Sequence, residues 1–153
     1  MIRYKPVPKA SFDKLEGLSE FFEPLDEVEM AYLFGGAASG RVGPLSDIDI
    51  ACLLRDSGTE DKTKRLDEEL RLQGLLTSYL GTDELDLVIL NRCPISVAYQ
   101  VVRTGKIVFC RDESVRMRFF ERAVLRYLDF APVLGICFQY IKGTGRIGRG
   151  GHG

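Results

Sequence analysis

Histidine is nearly absent from this chain of 153 residues: the one example, His152, sits in a glycine-rich C-terminal stretch. A Ser-His-Asp or Cys-His hydrolase needs an ordered imidazole base. Zinc sites draw on His or on clustered Cys. The four cysteines, Cys52, Cys93, Cys110 and Cys137, stand at spacings that match no zinc or redox motif. They are expected to be small buried hydrophobes. Any catalysis must therefore run on carboxylates. Long apolar runs are also missing, so no membrane span is expected. The opening segment, MIRYKPVPKASFDKLEG, has no apolar core and no cleavage pattern, so no signal peptide is expected and the cytoplasm is the expected compartment. Charge of one sign is lacking too. A net charge of −1 supplies no global basic field, so nucleic acid is not expected as the main partner.

What is present is an ordinary globular composition, 45% hydrophobic and 28% charged, long enough to bury a core. Residues 1–10 hold two prolines and read as extended. Residues 11–23 predict a helix with Ser11 as N-cap and Phe12, Leu15, Leu18, Phe21 and Phe22 on one face, ended by Pro24. Residues 28–34 (VEMAYLF) predict a strand. A turn-rich connector, GGAASGRVGP, follows it, and 47–54 (DIDIACLL) predicts a second strand. A helix is expected over 62–80, with Leu66, Leu70, Leu75, Leu76, Tyr79 and Leu80 buried. The short apolar run LDLVIL fits a buried central strand. Pro94 opens a helix to about Val102, Gly105 closes it, and KIVFC is a fourth strand. Residues 112–129 predict a helix with Val115, Phe119, Val124 and Leu128 inward, broken at Pro132, with a further helical stretch over 133–141. The expected domain is residues 1–142. The last eleven residues, six of them glycine, are expected to form a mobile tail. The order of elements gives a mixed α/β domain with one sheet.

The chemistry is concentrated in 33–50, LFGGAASGRVGPLSDIDI. Alternate strand residues face the same side, so Asp47 and Asp49 project together with Cα atoms roughly 6–7 Å apart, while Ile48 and Ile50 point into the core. Two like charges held side by side are relieved by a cation, and oxygen-only ligands select Mg²⁺ or Mn²⁺. A pair of such ions is a standard device for displacement at phosphorus. Directly upstream, Gly35 and Gly36 leave their backbone N–H groups open to a phosphate, and Gly40 permits another tight bend. No Gly-Lys-Ser/Thr follows, so this is not a Walker A loop, nor is it a GxGxxG fingerprint. Of the later acidic residues, Asp83 and Glu84 precede the apolar run. Asp86 lies inside it, where a carboxylate is costly unless paired or metal-bound, and is the expected third carboxylate.

LFGGAASGRVGPLSDIDI followed by LDLVIL resembles the polymerase-β-type nucleotidyltransferase superfamily. The whole chain is similar to its minimal members, the MNT proteins, which are antitoxin halves of HEPT/MNT pairs. VILNRCPISVAYQVVRTGKIVFCRD and RYLDFAPVL extend the similarity, which covers about residues 12–135. The resemblance implies the nucleotidyltransferase fold, a mixed, mostly four-stranded sheet flanked by helices. It implies ATP as substrate, with two Mg²⁺ held by Asp47, Asp49 and Asp86. Asp86 would also help deprotonate the attacking hydroxyl. Gly35, Gly36, Ser39, Gly40, Arg41 and Ser46 would contact the nucleotide. It further implies a HEPT-type toxin as partner, with AMP transferred to one of its tyrosines. Two positions depart from the family pattern: Gly36 stands where a serine is usual, and Ser39 where a basic residue is common, with Arg41 nearby. Two other readings follow from the same residues: a binding module that neutralises its toxin without catalysis, and transfer to a small molecule such as an aminoglycoside.

Overall fold

The computed structural model describes residues 9–36, 48–55 and 61–142, except for the side chains at 131 and 133–142. Its centre is a sheet of four strands, β1 (Val28–Phe34), β2 (Ile48–Leu54), β3 (Leu85–Ile89) and β4 (Lys106–Cys110), in the order β3-β2-β1-β4. β1 pairs antiparallel with both β2 and β4, whereas β2 and β3 are parallel. A parallel pair needs a crossover, and helix α3 (Lys62–Leu80) supplies it. This is the mixed α/β arrangement that the sequence predicts. Among the described residues, LDLVIL is nevertheless an edge strand and not a central one. Its apolar run reflects cover on both faces: Leu85 and Ile89 belong to one core cluster, and Val88 and Leu90 to the other.

Period-two alternation divides β2 cleanly. Ile48, Ile50, Cys52 and Leu54 meet Leu18 and Phe22 together with Leu72, Leu76 and Leu80 of α3. Ala51 and Leu53 face the other way, toward Ala98, Val101 and Val102 of helix α4 (Ile95–Thr104) and Ala123 of helix α5 (Glu113–Lys142).

The helix expected over 11–23 is three short pieces: α1 (Lys9–Asp13), a 3-10 turn (Lys14–Gly17) and α2 (Leu18–Phe22). Ser11 is not a cap. It is buried within α1 and donates its hydroxyl to the Leu80 carbonyl at 2.5 Å, satisfying one of the orphan acceptors at the end of α3. The break has a cause in Tyr79, whose hydroxyl donates to the Lys14 carbonyl at 3.0 Å; a Cβ at Gly17 would lie 2.3 Å from that hydroxyl oxygen.

On α3 the buried stripe is Leu72, Leu76 and Leu80 at i, i+4 spacing, while Leu66, Leu70 and Leu75 are exposed, contrary to expectation. At roughly 100° per residue, Leu66 and Leu70 fall to one side of that stripe and Leu75 to the other. Asp61 caps the helix start by accepting from the Thr63 amide at 2.9 Å, and Gly81 closes it in the left-handed region at φ 71.

Helix α5 runs continuously past Pro132, where a break was expected. The proline removes the hydrogen bond to the Leu128 carbonyl, but Leu128 is 57% exposed, so water can satisfy that oxygen. The same exposure contradicts an inward Leu128. The inward stripe is Val115, Phe119, Ala123 and Tyr127, the last stacked on Tyr99 of α4 with ring centroids 3.8 Å apart.

Candidate active site

The antiparallel hairpin of β1 and β2 sets Phe34, the last residue of β1, opposite Asp49, near the start of β2. The parallel pairing then sets Asp49 opposite Asp86. Directly opposed residues on adjacent strands point to the same face, with strands about 4.8 Å apart. Asp49 has the parity of Ala51 and Leu53, and Asp86 that of Val88 and Leu90, so both carboxylates project from the sheet face that carries α4 and α5. Both are half-buried. The pairing separates Asp86 from its neighbours: Asp83 and Glu84 precede β3, and the Glu84 carbonyl accepts from the Ile48 amide at 3.4 Å.

The chain leaves β1 through a turn at Gly35 and Gly36. Gly35 has φ +70, a conformation that L side chains rarely adopt. A Cβ there would lie 2.3 Å from Asp49 Oδ2, so the glycine serves a close approach as well as a backbone bend. The turn backbone is thus packed directly against one of the two carboxylates. The sequence predicts phosphate contact through the Gly35 N–H but not the close approach to Asp49. The hairpin register was the available signal, since a strand that ends at Phe34 and pairs with Asp49 brings residue 35 there.

Asp47, Ser39, Gly40, Arg41 and Ser46 lie outside the described residues. Among the described residues no group of three or more His, Cys, Asp or Glu side chains is placed to hold a metal ion. Asp49 and Asp86 form a pair of hard oxygen donors on one face. That donor set fits Mg²⁺.

Two arginines near the sheet make other contacts. Arg92, beyond the far end of β3, faces Glu69 at 4.0 Å, and Arg103 lies over the Tyr99 ring at 6.0 Å. Cys52 is fully buried, which pushes its thiol far above the usual range, and burial also raises Cys93 and Cys110. None of these three is an activated nucleophile.

Comparison with known proteins agrees with this geometry. The family described as polymerase beta, nucleotidyltransferase matches residues 16–114, more than half of the chain. No curated protein sequence matches. Among solved structures, a chain of the MntA–HepT toxin–antitoxin complex is 25% identical, with a TM-score of 0.60, covering 89% of this chain and 100% of its own. A chain from a toxin–antitoxin structure with AMP-PNP is 23% identical, with a TM-score of 0.65, covering 84% and 98%. A chain from the Shewanella oneidensis complex of tri-AMPylated HEPN toxin with MNT antitoxin is 23% identical, with a TM-score of 0.63, covering 86% and 99%. With a sheet that sets Asp49 beside Asp86 under a Gly-Gly turn, and with a family match across that sheet, the chain belongs to the polymerase beta nucleotidyltransferase family.

Proposed function

We propose that this protein transfers AMP from ATP to a tyrosine hydroxyl of a partner protein of the HEPT toxin type, and that it acts as the antitoxin of that pair. The observation that carries the reading is the Asp49–Asp86 register pair, with the Gly35 turn packed against Asp49. The relatives described above support the donor and the acceptor class, since one is a complex with AMP-PNP and another contains an AMPylated toxin. A protein acceptor is also supported by the surface of α5, where Met117, Phe120 and Leu128 are exposed on one side of the helix.

Asp47, Asp49 and Asp86 would hold Mg²⁺, which when bound neutralises charge on the phosphate oxygens. The Gly35 and Gly36 amides would orient the triphosphate. Asp86 accepts the tyrosine proton as the phenolic oxygen bonds to the α-phosphorus. The bond from that phosphorus to the bridging oxygen breaks, and pyrophosphate leaves. Positioning and charge stabilisation supply most of the acceleration. Gly36 replaces a hydroxyl donor with backbone alone, so phosphate is held by fewer groups.

The test is to mix the protein, Mg²⁺, ATP and the product of the neighbouring gene, and to weigh the partner by intact mass spectrometry. A gain of one or more AMP units that is lost with Asp86→Asn is the expected result. An unmodified but tightly bound partner would replace this reading with the binding module.

A further inference from the structure

One cleft of the described part of the molecule lies away from the aspartates. It has a volume of about 540 Å³ and lies at the opposite end of the sheet, bounded by Leu53, Leu54 and Arg55, by Leu90–Cys93, by the first half of α3 and by α5. Asp49 and Leu53 share a sheet face, roughly 13 Å apart at about 3.3 Å per residue. Tyr32, Ala51 and Val101, all buried, fill that face between them, so the two sites are separated by core.

Six arginines line the cleft, Arg55, Arg65, Arg92, Arg118, Arg122 and Arg126, against two acidic residues, Glu29 and Glu68. Glu29 is taken up by Arg55 at 2.9 Å, and Arg92 faces Glu69 at 4.0 Å. Among the described residues no carboxylate lies within ion-pairing distance of Arg118, Arg122 or Arg126. These three succeed one another at i, i+4 and i+8 on α5, about 6 Å apart along the axis. Like charges at that spacing repel and weaken a helix, and Asp112, which feels the charge of Arg118, offsets only one end of the row. An anion along the row removes the repulsion. Guanidinium forks suit phosphate oxygens in particular.

The floor is apolar, with Leu53, Leu90 and Phe119, and it is held in shape. The Asn91 side chain accepts from the Leu54 amide and donates to the Leu54 carbonyl, both at 2.8 Å. The volume falls within the range of small-ligand pockets. We infer that this cleft is a second anion site that binds a chain of phosphates, either free or carried by a nucleoside, independently of the aspartate pair.

Calorimetric titration of the full chain in EDTA, with sodium triphosphate and with ATP as separate probes, tests this. Saturable binding of one triphosphate per chain is expected. It should weaken at least about tenfold in Arg118→Gln/Arg122→Gln, by the loss of two charged hydrogen-bond donors, and less in Arg126→Gln. It should be unchanged in Asp86→Asn. Melting curves check that each variant folds, and the single variant keeps the test decisive if the double one does not. ATP binding like triphosphate assigns the site to the phosphate chain alone; tighter ATP binding adds the apolar floor as a nucleoside contact. The inference is overturned by no saturable binding, by binding lost in Asp86→Asn but retained in the arginine variants, or by a single-stranded oligonucleotide binding more tightly than triphosphate, which would make the arginine row a nucleic-acid surface.

Discussion

Gly35 and Gly81 offer a paired experiment, because both have positive φ, +70 and +71, and they differ in what surrounds them. An added Cβ at Gly81 meets nothing within 4 Å, whereas at Gly35 it meets Asp49 Oδ2 at 2.3 Å. Alanine at either position adopts a left-handed conformation that costs about 1–2 kcal/mol. For a chain of this size that lowers Tm by roughly 2–8 °C. The backbone cost is common to both variants. The collision is particular to Gly35→Ala, and it is with the tip of a short side chain, which can turn away cheaply. Restoring an ordinary contact moves the carboxylate oxygen by about 1 Å, a displacement that in a catalytic site costs about 100-fold in rate. Gly35→Ala and Gly81→Ala should therefore melt within a degree or two of each other, while AMP transfer falls about 100-fold in the first and is unchanged in the second. Thermal denaturation and the mass assay read the two quantities separately. Wild-type transfer by Gly35→Ala would refute the role of this close approach. A much lower melting temperature for Gly35→Ala would show that the backbone, and not the carboxylate, yields.

Three further outcomes follow from the same geometry. The Arg111 guanidinium donates to the carbonyls of Val28, Glu23 and Leu25, each at 3.1 Å, so Arg111→Lys should lower stability by about 2–3 kcal/mol in urea titration; a change below about 0.5 would sink this account of the link between β4 and the end of α2. The Asp112 carboxylate accepts from the Ser114 hydroxyl and amide, and these bonds hold it below the usual range. Its contribution is therefore present above the ordinary carboxylate value and lost as pH falls through the folded one, so the melting difference between wild type and Asp112→Ala should close in acid, and a difference that persists there contradicts the assignment. Cys52 should resist alkylation by iodoacetamide at pH 8 until denaturant is added; rapid modification of the native chain would contradict its burial.

The strands that carry the aspartates were legible in the sequence because their signals are local. Ile48 and Ile50 alternate with Asp49, and that pattern alone predicts which side chains enter the core. Asp86 stood out because a charge interrupts an apolar run. Its partner across the sheet could not be read, because a parallel register is fixed by packing between distant segments and not by a turn. Helix faces were harder. Leu66 and Leu70 are apolar and correctly spaced for one another, yet the burial of α3 follows Leu72, Leu76 and Leu80, which meet the sheet. Leu128 misled for the same reason. Pro132 carried a helix-breaking signal that an exposed carbonyl made tolerable. The sequence analysis did not single out Arg118, Arg122 and Arg126, because the cleft beside them is formed by the ends of β2 and β3 and has no local signature.

The edge position of β3 has a consequence for how the protein fails. A strand bonded on one side opens at lower free energy than a strand bonded on both. Asp49 rides on β2, which is bonded on both sides, and Asp86 rides on the edge. The ladder between them begins at the site with its long bond, 3.4 Å from the Ile48 amide to the Glu84 carbonyl. Partial detachment of β3 from that end would part the two carboxylates while leaving the β2-β1-β4 sheet assembled. Inactivation on warming should then precede the loss of circular dichroism, and the amides of β3 should exchange with solvent before those of β1. The polarity of the sheet thus makes catalytic competence a more fragile property than foldedness.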